Sequence, residues 1–140
     1  MAGGAKVVLE TVEGDRSRLM VRFESGARLA LDSPSGEGGP SPVEAVLAAL
    51  GGCTAMDVIS ILRKKRQRVT GYEVLVQGER RQEHPRIYTR IEVIHRVTGH
   101  DLSPEAVAEA IRLSDTKYCS VHAQMEGTAE ISSRFEIVPA

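Results

Sequence analysis

Hydrophobic residues recur at helical spacing from Pro40 to Arg68, the longest periodic stretch of the chain. Ser41, Pro42 and Glu44 supply the N-cap residue, the first-turn proline and the S-x-x-E capping box that mark a helix start. The apolar positions behind this start cover most of the helix circumference: Val43, Val46, Leu47, Leu50, Val58, Ile61 and Leu62, with alanines, Met56 and Ile59 between them. Such a helix must be covered on more than one side, so a second subunit is expected to help bury it.

Two glycines, Gly51 and Gly52, precede Cys53 within this stretch. Each costs about 1 kcal/mol relative to alanine inside a helix, so a packing or functional reason is expected. Either another backbone packs closely there, or the helix breaks and Cys53 lies near a new N-terminus. In the second case the free amides and the helix dipole would favour a thiolate. The sequence supports both alternatives.

Alternating apolar and polar residues predict strands on both sides of the helix. The predicted elements are, in order, strands at 6–12, 18–23 and 27–32, the helix (one or two segments), strands at 71–80 and 87–97, a helix from 103 to about 116, a tight turn or short helix at 117–122, and a closing strand from 129 to 137. Turn signals at Glu13-Gly14-Asp15 and Ser25-Gly26 predict that the first three strands form an antiparallel meander. The order of elements predicts an α+β fold with mostly antiparallel pairing, in a single domain of residues 1–140.

Composition narrows the class of protein. The chain has 140 residues, of which 41% are hydrophobic and 26% charged, as is typical of a soluble globular domain. Its net charge of −1 gives no general electrostatic reason to bind nucleic acid or an anionic membrane. The basic run at 63–68 lies where cations stabilise a helix C-terminus. We expect no signal peptide and no stretch long and apolar enough to span a membrane, and hence a cytoplasmic location.

The chain has two cysteines, Cys53 and Cys119. In a reducing cytosol a permanent disulfide is uncommon, and two unrelated buried thiols are the usual finding. Cys119-x-x-His122 offers half of a zinc site, but the sequence has no second compact ligand pair, so no metal is predicted. A Cys–His nucleophile for acyl transfer, with His122 as base to either thiol, is possible in principle, but nothing in the sequence indicates a group that orients the histidine.

A peroxide-reducing pair of thiols requires fewer residues than a zinc site or a Cys–His nucleophile. One thiolate attacks the peroxide oxygen and becomes a sulfenic acid, which condenses with the second thiol to a disulfide. Cys53, on an apolar helix, suits the attacking role, and Cys119, in a turn, suits the resolving role. Asp57 lies one turn after Cys53, where its charge would raise the thiol pKa. We interpret Asp57 as a partner for a backbone or basic group.

The segments PSPVEAVLAALGGCTAMDVISIL and YCSV resemble the OsmC/Ohr family of osmotically inducible and organic-hydroperoxide-resistance proteins, and more closely its YhfA-like branch. The resemblance implies an OsmC/Ohr-like fold, with antiparallel sheets around a long central helix, in an intertwined homodimer. It also implies a thiol-dependent peroxidase that reduces organic hydroperoxides through a Cys53 sulfenate and a Cys53–Cys119 disulfide. The implied reductant is a dithiol or a lipoylated protein, and no bound cofactor is needed.

Peroxidases of this family also hold the thiolate and peroxide with a glutamate early in the central helix and an arginine from the N-terminal region. The glutamate position, ten residues before Cys53, is Val43 in this chain, and Glu44 follows it about 100° around the helix. Arg16 is the nearest candidate for the arginine, and Arg18 is the next. Glu44 and Arg16 are therefore candidate catalytic residues beside the two cysteines.

Two other functions are alternatives to the peroxidase interpretation. The first is that of a non-enzymatic protein that binds a hydrophobic small molecule, or senses redox state through its cysteines. The second is binding of nucleic acid. Salt-sensitive binding of nucleic acid through residues 63–68 is ranked last, and neither a nucleic acid nor a membrane is an expected partner.

Overall fold

The structure is a computed structural model and describes residues 3–11, 17–33 and 37–140. Its elements are β1 (Ala5–Thr11), β2 (Ser17–Phe23), β3 (Arg28–Leu31), α1 (Pro42–Lys64), β4 (Arg68–Arg80), β5 (Tyr88–His100), α2 (Pro104–Leu113), a π-helix (Ser114–Tyr118), α3 (Ser120–Met125) and β6 (Glu130–Pro139). The predicted order of strands and helices is confirmed. The chain divides into two compact units, of which the first ends at Val46 and the second begins at Leu47, within α1. A single domain of residues 1–140 stays a prediction.

The first unit contains the predicted antiparallel meander of β1, β2 and β3. The turn between β2 and β3 closes through a hydrogen bond from Phe23 N to Ala27 O at 2.9 Å. Gly26 takes φ of 96° in this turn, a left-handed conformation that glycine adopts without steric cost. The turn between β1 and β2 was predicted at residues 13–15, which lie outside the described residues.

The meander buries little of its apolar surface within this chain. Val21 on β2 is 4% exposed, whereas Val7, Val8 and Leu9 on β1 are all exposed. Water contact on three consecutive apolar side chains of a strand is unfavourable. Because successive side chains point to opposite sides, both faces of β1 carry exposed apolar groups that another chain could bury.

Helix α1 is continuous from Pro42 to Lys64. Ser41 N donates to Glu44 Oε2 at 3.0 Å, and Glu44 N donates to Ser41 Oγ at 3.2 Å, so the predicted capping box is confirmed. The alternative in which the helix breaks before Cys53 is wrong. A Cβ on Gly51 would lie 2.8 Å from Val76 Cγ2, so the absence of a side chain at Gly51 lets α1 pack closely against β4.

By length and composition alone, α1 could cross a membrane. The expectation that no stretch of the chain meets this criterion is therefore wrong. The core helix of a soluble protein meets it too, and 28% of the most apolar 18-residue window of α1 is buried in this chain. The buried face carries Leu50, Thr54, Val58 and Leu62, and Met56 is 75% exposed.

The second unit contains a mixed sheet in the order β4-β5-β6. β4 and β5 are antiparallel, but β5 and β6 are parallel, with Ile91 beside Ile131 and Val97 beside Ile137. The prediction of antiparallel sheets is therefore wrong for β6. Parallel neighbours need a crossover of about a dozen residues or more. The segment 101–129, which holds α2, the π-helix and α3, supplies it.

Two clusters of buried side chains form the core of the second unit. One consists of Val58, Leu62, Val97, Val107, Ala110 and Ile111, and the other of Leu50, Ile91, Val93, Cys119 and Ala129. β5 supplies Ile91 and Val93 to one cluster and Val97 to the other, all from one face of the strand, because side chains two positions apart point the same way. His95 has the same parity as Val93 and Val97 and is 0% exposed, so it lies in the core, as the alternation of residues along this strand predicts.

Candidate functional site

The two cysteines lie side by side in the second unit, although 66 positions separate them in sequence. Cys53 Sγ, Cys119 Sγ and a carboxylate oxygen of Asp57 all lie within 4.8 Å of one another. α1 carries Cys53 and Asp57 one turn apart, and Cys119 is the N-cap of α3. A disulfide requires a sulfur–sulfur separation of about 2.05 Å, so the two side chains must move towards each other to form one.

The π-helix before Cys119 positions this residue. Cys119 N donates to Ser114 O at 2.8 Å, the bond that closes the wider turn, and the Cys119 backbone is extended at φ −75° and ψ 102°. Single turns of π-helix occur frequently at functional sites. In the following turn His122 N donates to Cys119 Sγ at 3.3 Å. The backbone thus fixes the direction of the Cys119 side chain.

The environments of the two thiols differ. Cys119 is 3% exposed, whereas Cys53 is half-buried. Burial raises the pKa of Cys119 to about 11, against the opposing effect of the hydrogen bond from His122 N. Hydrogen bonding with Cys53 and the charges of Cys53 and Asp57 raise this pKa further. At neutral pH Cys119 therefore keeps its proton.

A buried chain of hydroxyl groups ends on Asp57. Ser114 Oγ donates to Asp57 Oδ2 at 3.0 Å, and Thr54 Oγ1 lies 2.8 Å from Ser114 Oγ. Because Ser114 has one hydroxyl proton and directs it to the carboxylate, Thr54 is the donor in the bond between them. The interpretation of Asp57 as the partner of a backbone or basic group is corrected, since its partner is the Ser114 hydroxyl.

The sequence does contain a signal for these linked hydroxyl groups, but the signal is recognised only once the buried contacts are known. Thr54 lies four residues from both Leu50 and Val58, on the buried face of α1, and Ser114 continues the apolar face of α2. Their exposures are 2% and 0%. A hydroxyl at a core position of an amphipathic helix needs a hydrogen-bond partner, and each of these residues supplies the partner of the other.

Tyr72 and His95 form a second polar pair in this unit. Tyr72 Oη and His95 Nδ1 are 2.7 Å apart. Burial lowers the pKa of His95, and burial together with the charges of Asp115 and Asp57 raises that of Tyr72, so both side chains are neutral at pH 7. The tyrosine hydroxyl then donates to Nδ1, which places the imidazole proton on Nε2. Among the described residues, His95 Nε2 has no hydrogen-bond partner.

The ring of His122 faces carboxylates. Its Nδ1 lies 3.5 Å from Asp115 Oδ1, and its Nε2 lies 3.6 Å from Glu126 Oε2. A Cys–His nucleophile requires a ring nitrogen hydrogen-bonded to the thiol, and among the described residues both ring nitrogens have carboxylates as neighbours. The geometry therefore does not support the acyl-transfer alternative, or the zinc half-site built on Cys119 and His122.

The remaining candidate residues lie in the first unit. Glu44 Oε2 accepts from both the N–H and the hydroxyl of Ser41, so this carboxylate stabilises the start of α1. Arg16 lies outside the described residues. Arg18, the next candidate, pairs with Glu10 at 3.5 Å. Catalytic roles for Glu44 and Arg16 stay predictions.

Comparison with known proteins identifies the family. Residues 34–134 match the family described as OsmC-like protein. The protein YhfA of Escherichia coli strain K12 is 48% identical over 116 residues, which cover 83% of this chain and 87% of YhfA. The chain belongs to the OsmC-like family. The resemblance inferred from the segments around Cys53 and Cys119 is thereby confirmed.

Solved structures share the fold of this chain. A hypothetical protein from Aquifex aeolicus VF5 matches with a TM-score of 0.81 and 30% identity, over 98% of both chains. An organic hydroperoxide resistance protein OsmC from Legionella pneumophila, also described as a predicted redox protein, matches with a TM-score of 0.66 over 97% of both chains. Its 11% identity supports a common fold alone. The α+β fold of OsmC/Ohr type, with two sheets and a long helix, is confirmed.

Proposed function

We propose that this OsmC-like protein is a thiol-dependent peroxidase that reduces organic hydroperoxides. The observation that carries the proposal is the approach of the Cys53 and Cys119 sulfur atoms to within 4.8 Å. It is supported by the likeness in fold to a protein described as an organic hydroperoxide resistance protein. Two adjacent free thiols on separate elements can carry out both steps of this chemistry, formation of the sulfenic acid and its condensation to a disulfide.

The reaction needs three steps. The Cys53 thiolate attacks the terminal peroxide oxygen, the O–O bond breaks, and the alkoxide leaves and takes a proton to become the alcohol. The Cys119 thiol then attacks the sulfur of the Cys53 sulfenic acid and releases water, which forms the Cys53–Cys119 disulfide. An external dithiol, or the dihydrolipoyl group of a lipoylated protein, reduces the disulfide by exchange. We assign this cycle to the cytoplasm, where thiols are kept reduced.

The different environments of the two thiols support this division of roles. Cys53 is the more accessible thiol, as the residue that meets the substrate must be. Cys119 is buried and keeps its proton at neutral pH because burial raises its pKa to about 11. The Cys119 thiol is a protonated neighbour that can donate a hydrogen bond to the Cys53 sulfur.

The proposal includes supporting roles for two further residues. Arg16 would balance the charge of the Cys53 thiolate and orient the peroxide. Glu44 would hold that arginine with the carboxylate oxygen that is left after Oε2 has accepted the two Ser41 hydrogen bonds.

One equivalent of cumene hydroperoxide, added to reduced protein, is expected to form the disulfide within a single turnover. The intact mass, measured under denaturing and alkylating conditions, should be two hydrogens below that of the reduced, unalkylated protein. Neither cysteine should carry an alkyl group. Peptide mapping should then identify a crosslink between Cys53 and Cys119. Protein without peroxide, carried through the same steps, is the control.

Two fully alkylated thiols after this treatment would contradict the proposal. They would favour the alternative function, a non-enzymatic protein that binds a hydrophobic molecule. An open groove of about 420 Å³, lined by apolar side chains that include Leu47, Ala55, Val74 and Val76, supports that alternative.

The proposed assembly is a homodimer in which α1 is covered by its counterpart. It is supported by the apolar residues that a single chain leaves exposed, among them Met56 at 75% and Leu9 at 65%. Met56→Asp is expected to shift the protein from dimer to monomer in size-exclusion chromatography with light scattering, because a carboxylate buried at the interface would be unpaired. Met56→Leu is the matched control and should stay dimeric. A wild-type monomer at micromolar concentration would contradict the dimer.

A further inference from the structure

The cluster of Cys53, Asp57 and Cys119 has the donor atoms of a metal site. The two sulfur atoms and one carboxylate oxygen lie within 4.8 Å of one another. Around a tetrahedral zinc ion, with Zn–S near 2.3 Å and Zn–O near 2.1 Å, such donors are about 3.6–3.8 Å apart. The donor atoms would need to approach one another by at most about 1 Å to reach these separations and complete three ligands. We propose that these three residues bind a zinc ion when both thiols are reduced.

The surrounding hydrogen bonds hold two of the three ligands in place. Ser114 Oγ donates to Asp57 Oδ2 at 3.0 Å, and Ser114 is itself held by Thr54 at 2.8 Å. His122 N donates to Cys119 Sγ at 3.3 Å. A carboxylate accepts up to about four bonds, so the Ser114 bond leaves capacity for a metal ion. Partners of this kind orient metal ligands in known sites.

The chemistry of the donors selects the metal. Thiolates are soft ligands and favour zinc or another soft divalent ion, whereas Mg²⁺ and Ca²⁺ require oxygen ligands. Binding replaces the two thiol protons, so that Zn²⁺ and two thiols give a zinc dithiolate and two protons. Three protein ligands leave a fourth position for water, as in zinc sites that are not purely structural.

Asp57 is the residue that distinguishes a metal site from a bare thiol pair. A carboxylate beside a thiolate repels its charge, so Asp57 gives no electrostatic support to the attacking cysteine. Next to a divalent cation, the same charge is a favourable third ligand. Asp57 also borders a surface pocket that is lined by Ser60 and Tyr118, together with Lys64 and Lys65.

The metal and the disulfide would exclude each other, since both use the two sulfur atoms. A zinc ion at this site would protect the reduced thiols from peroxide and from alkylation. Bound zinc would therefore inhibit the proposed peroxidase cycle, but the binding of zinc does not itself depend on that cycle.

Cobalt(II) is the probe for this site. Added to reduced, metal-free protein, it is expected to bind one ion per chain, with thiolate-to-cobalt charge-transfer absorption and the intense visible bands of tetrahedral cobalt. One equivalent of Zn²⁺ should abolish both. Competition of zinc with a chromophoric chelator then gives its affinity for each variant. We expect Asp57→Asn and Cys53→Ser to lower that affinity by at least about tenfold, and Ser114→Ala by about tenfold to a hundredfold.

The matched control is Asp101→Asn, an exposed aspartate of a loop with φ of 49°, a backbone conformation that asparagine tolerates. It should bind cobalt and zinc as wild type does. Circular dichroism of every variant checks the fold.

Equal zinc affinities for Asp57→Asn and Asp101→Asn would overturn the proposal, because the carboxylate would then not be a ligand. Absence of the charge-transfer band in wild type would overturn it as well. Neither result would affect peroxide-driven formation of the disulfide, so this proposal and the peroxidase can fail separately.

Discussion

Replacement of Cys53 by serine is expected to reduce hydroperoxide turnover to the uncatalysed rate, a loss of about 10³-fold or more. Serine keeps the size of the side chain but removes the thiolate, and a neutral hydroxyl does not attack a peroxide. The measurement is steady-state consumption of cumene hydroperoxide with dithiothreitol and with a dihydrolipoamide donor as reductants.

Cys119→Ser separates attack from resolution. This variant retains Cys53, so it should consume about one equivalent of peroxide per chain in a single turnover and stop at the sulfenic acid, which dimedone traps. Cys53→Ser should consume none and give no dimedone adduct. Equal turnover by wild type and Cys53→Ser would refute the assignment of Cys53. A stoichiometric reaction that survives in Cys53→Ser and is lost in Cys119→Ser would reverse the two roles.

Leu50→Ala is expected to lower the free energy of unfolding by about 2–5 kcal/mol, the range found for large-to-small substitutions in well-packed cores. Leu50 is 1% exposed and belongs to the same cluster as Cys119, Ile91 and Val93, so its truncation leaves a cavity beside the thiol pair. The measurement is urea denaturation followed by circular dichroism, at one fixed protein concentration because assembly affects apparent stability.

Leu75→Ala is the matched control for this substitution. Leu75 lies on β4 and is 53% exposed, so the same loss of methyl groups should cost about 1 kcal/mol or less. Similar losses for the two variants would contradict the packing described here for α1 against β5. A larger fall in single-turnover disulfide yield for Leu50→Ala than for Leu75→Ala would show that this packing also positions Cys119.

Features that depend on neighbouring residues could be predicted from the sequence. Ser41 and Glu44 cap a helix through bonds between residues three positions apart, and the alternation along β5 assigns His95 to the core face. The motif around Cys53, together with Cys119, was sufficient for the family, because family resemblance is carried by residue types at fixed spacing. The predicted pairing within the β1–β3 meander was also right, since short turns enforce antiparallel neighbours.

The tertiary structure decided what depends on contacts between distant segments. Gly51 packs against Val76 without a break in the helix, and β6 runs parallel to β5 because the intervening helices carry the chain back across the sheet. The hydrogen bond between Thr54 and Ser114 joins residues 60 positions apart, and Ser114 in turn donates to Asp57. In sequence Asp57 is only a charged helix residue, whereas in the structure it is a neighbour of both thiols. Sequence periodicity fixes which face of an element is buried, whereas packing of one element on another determines which buried groups meet.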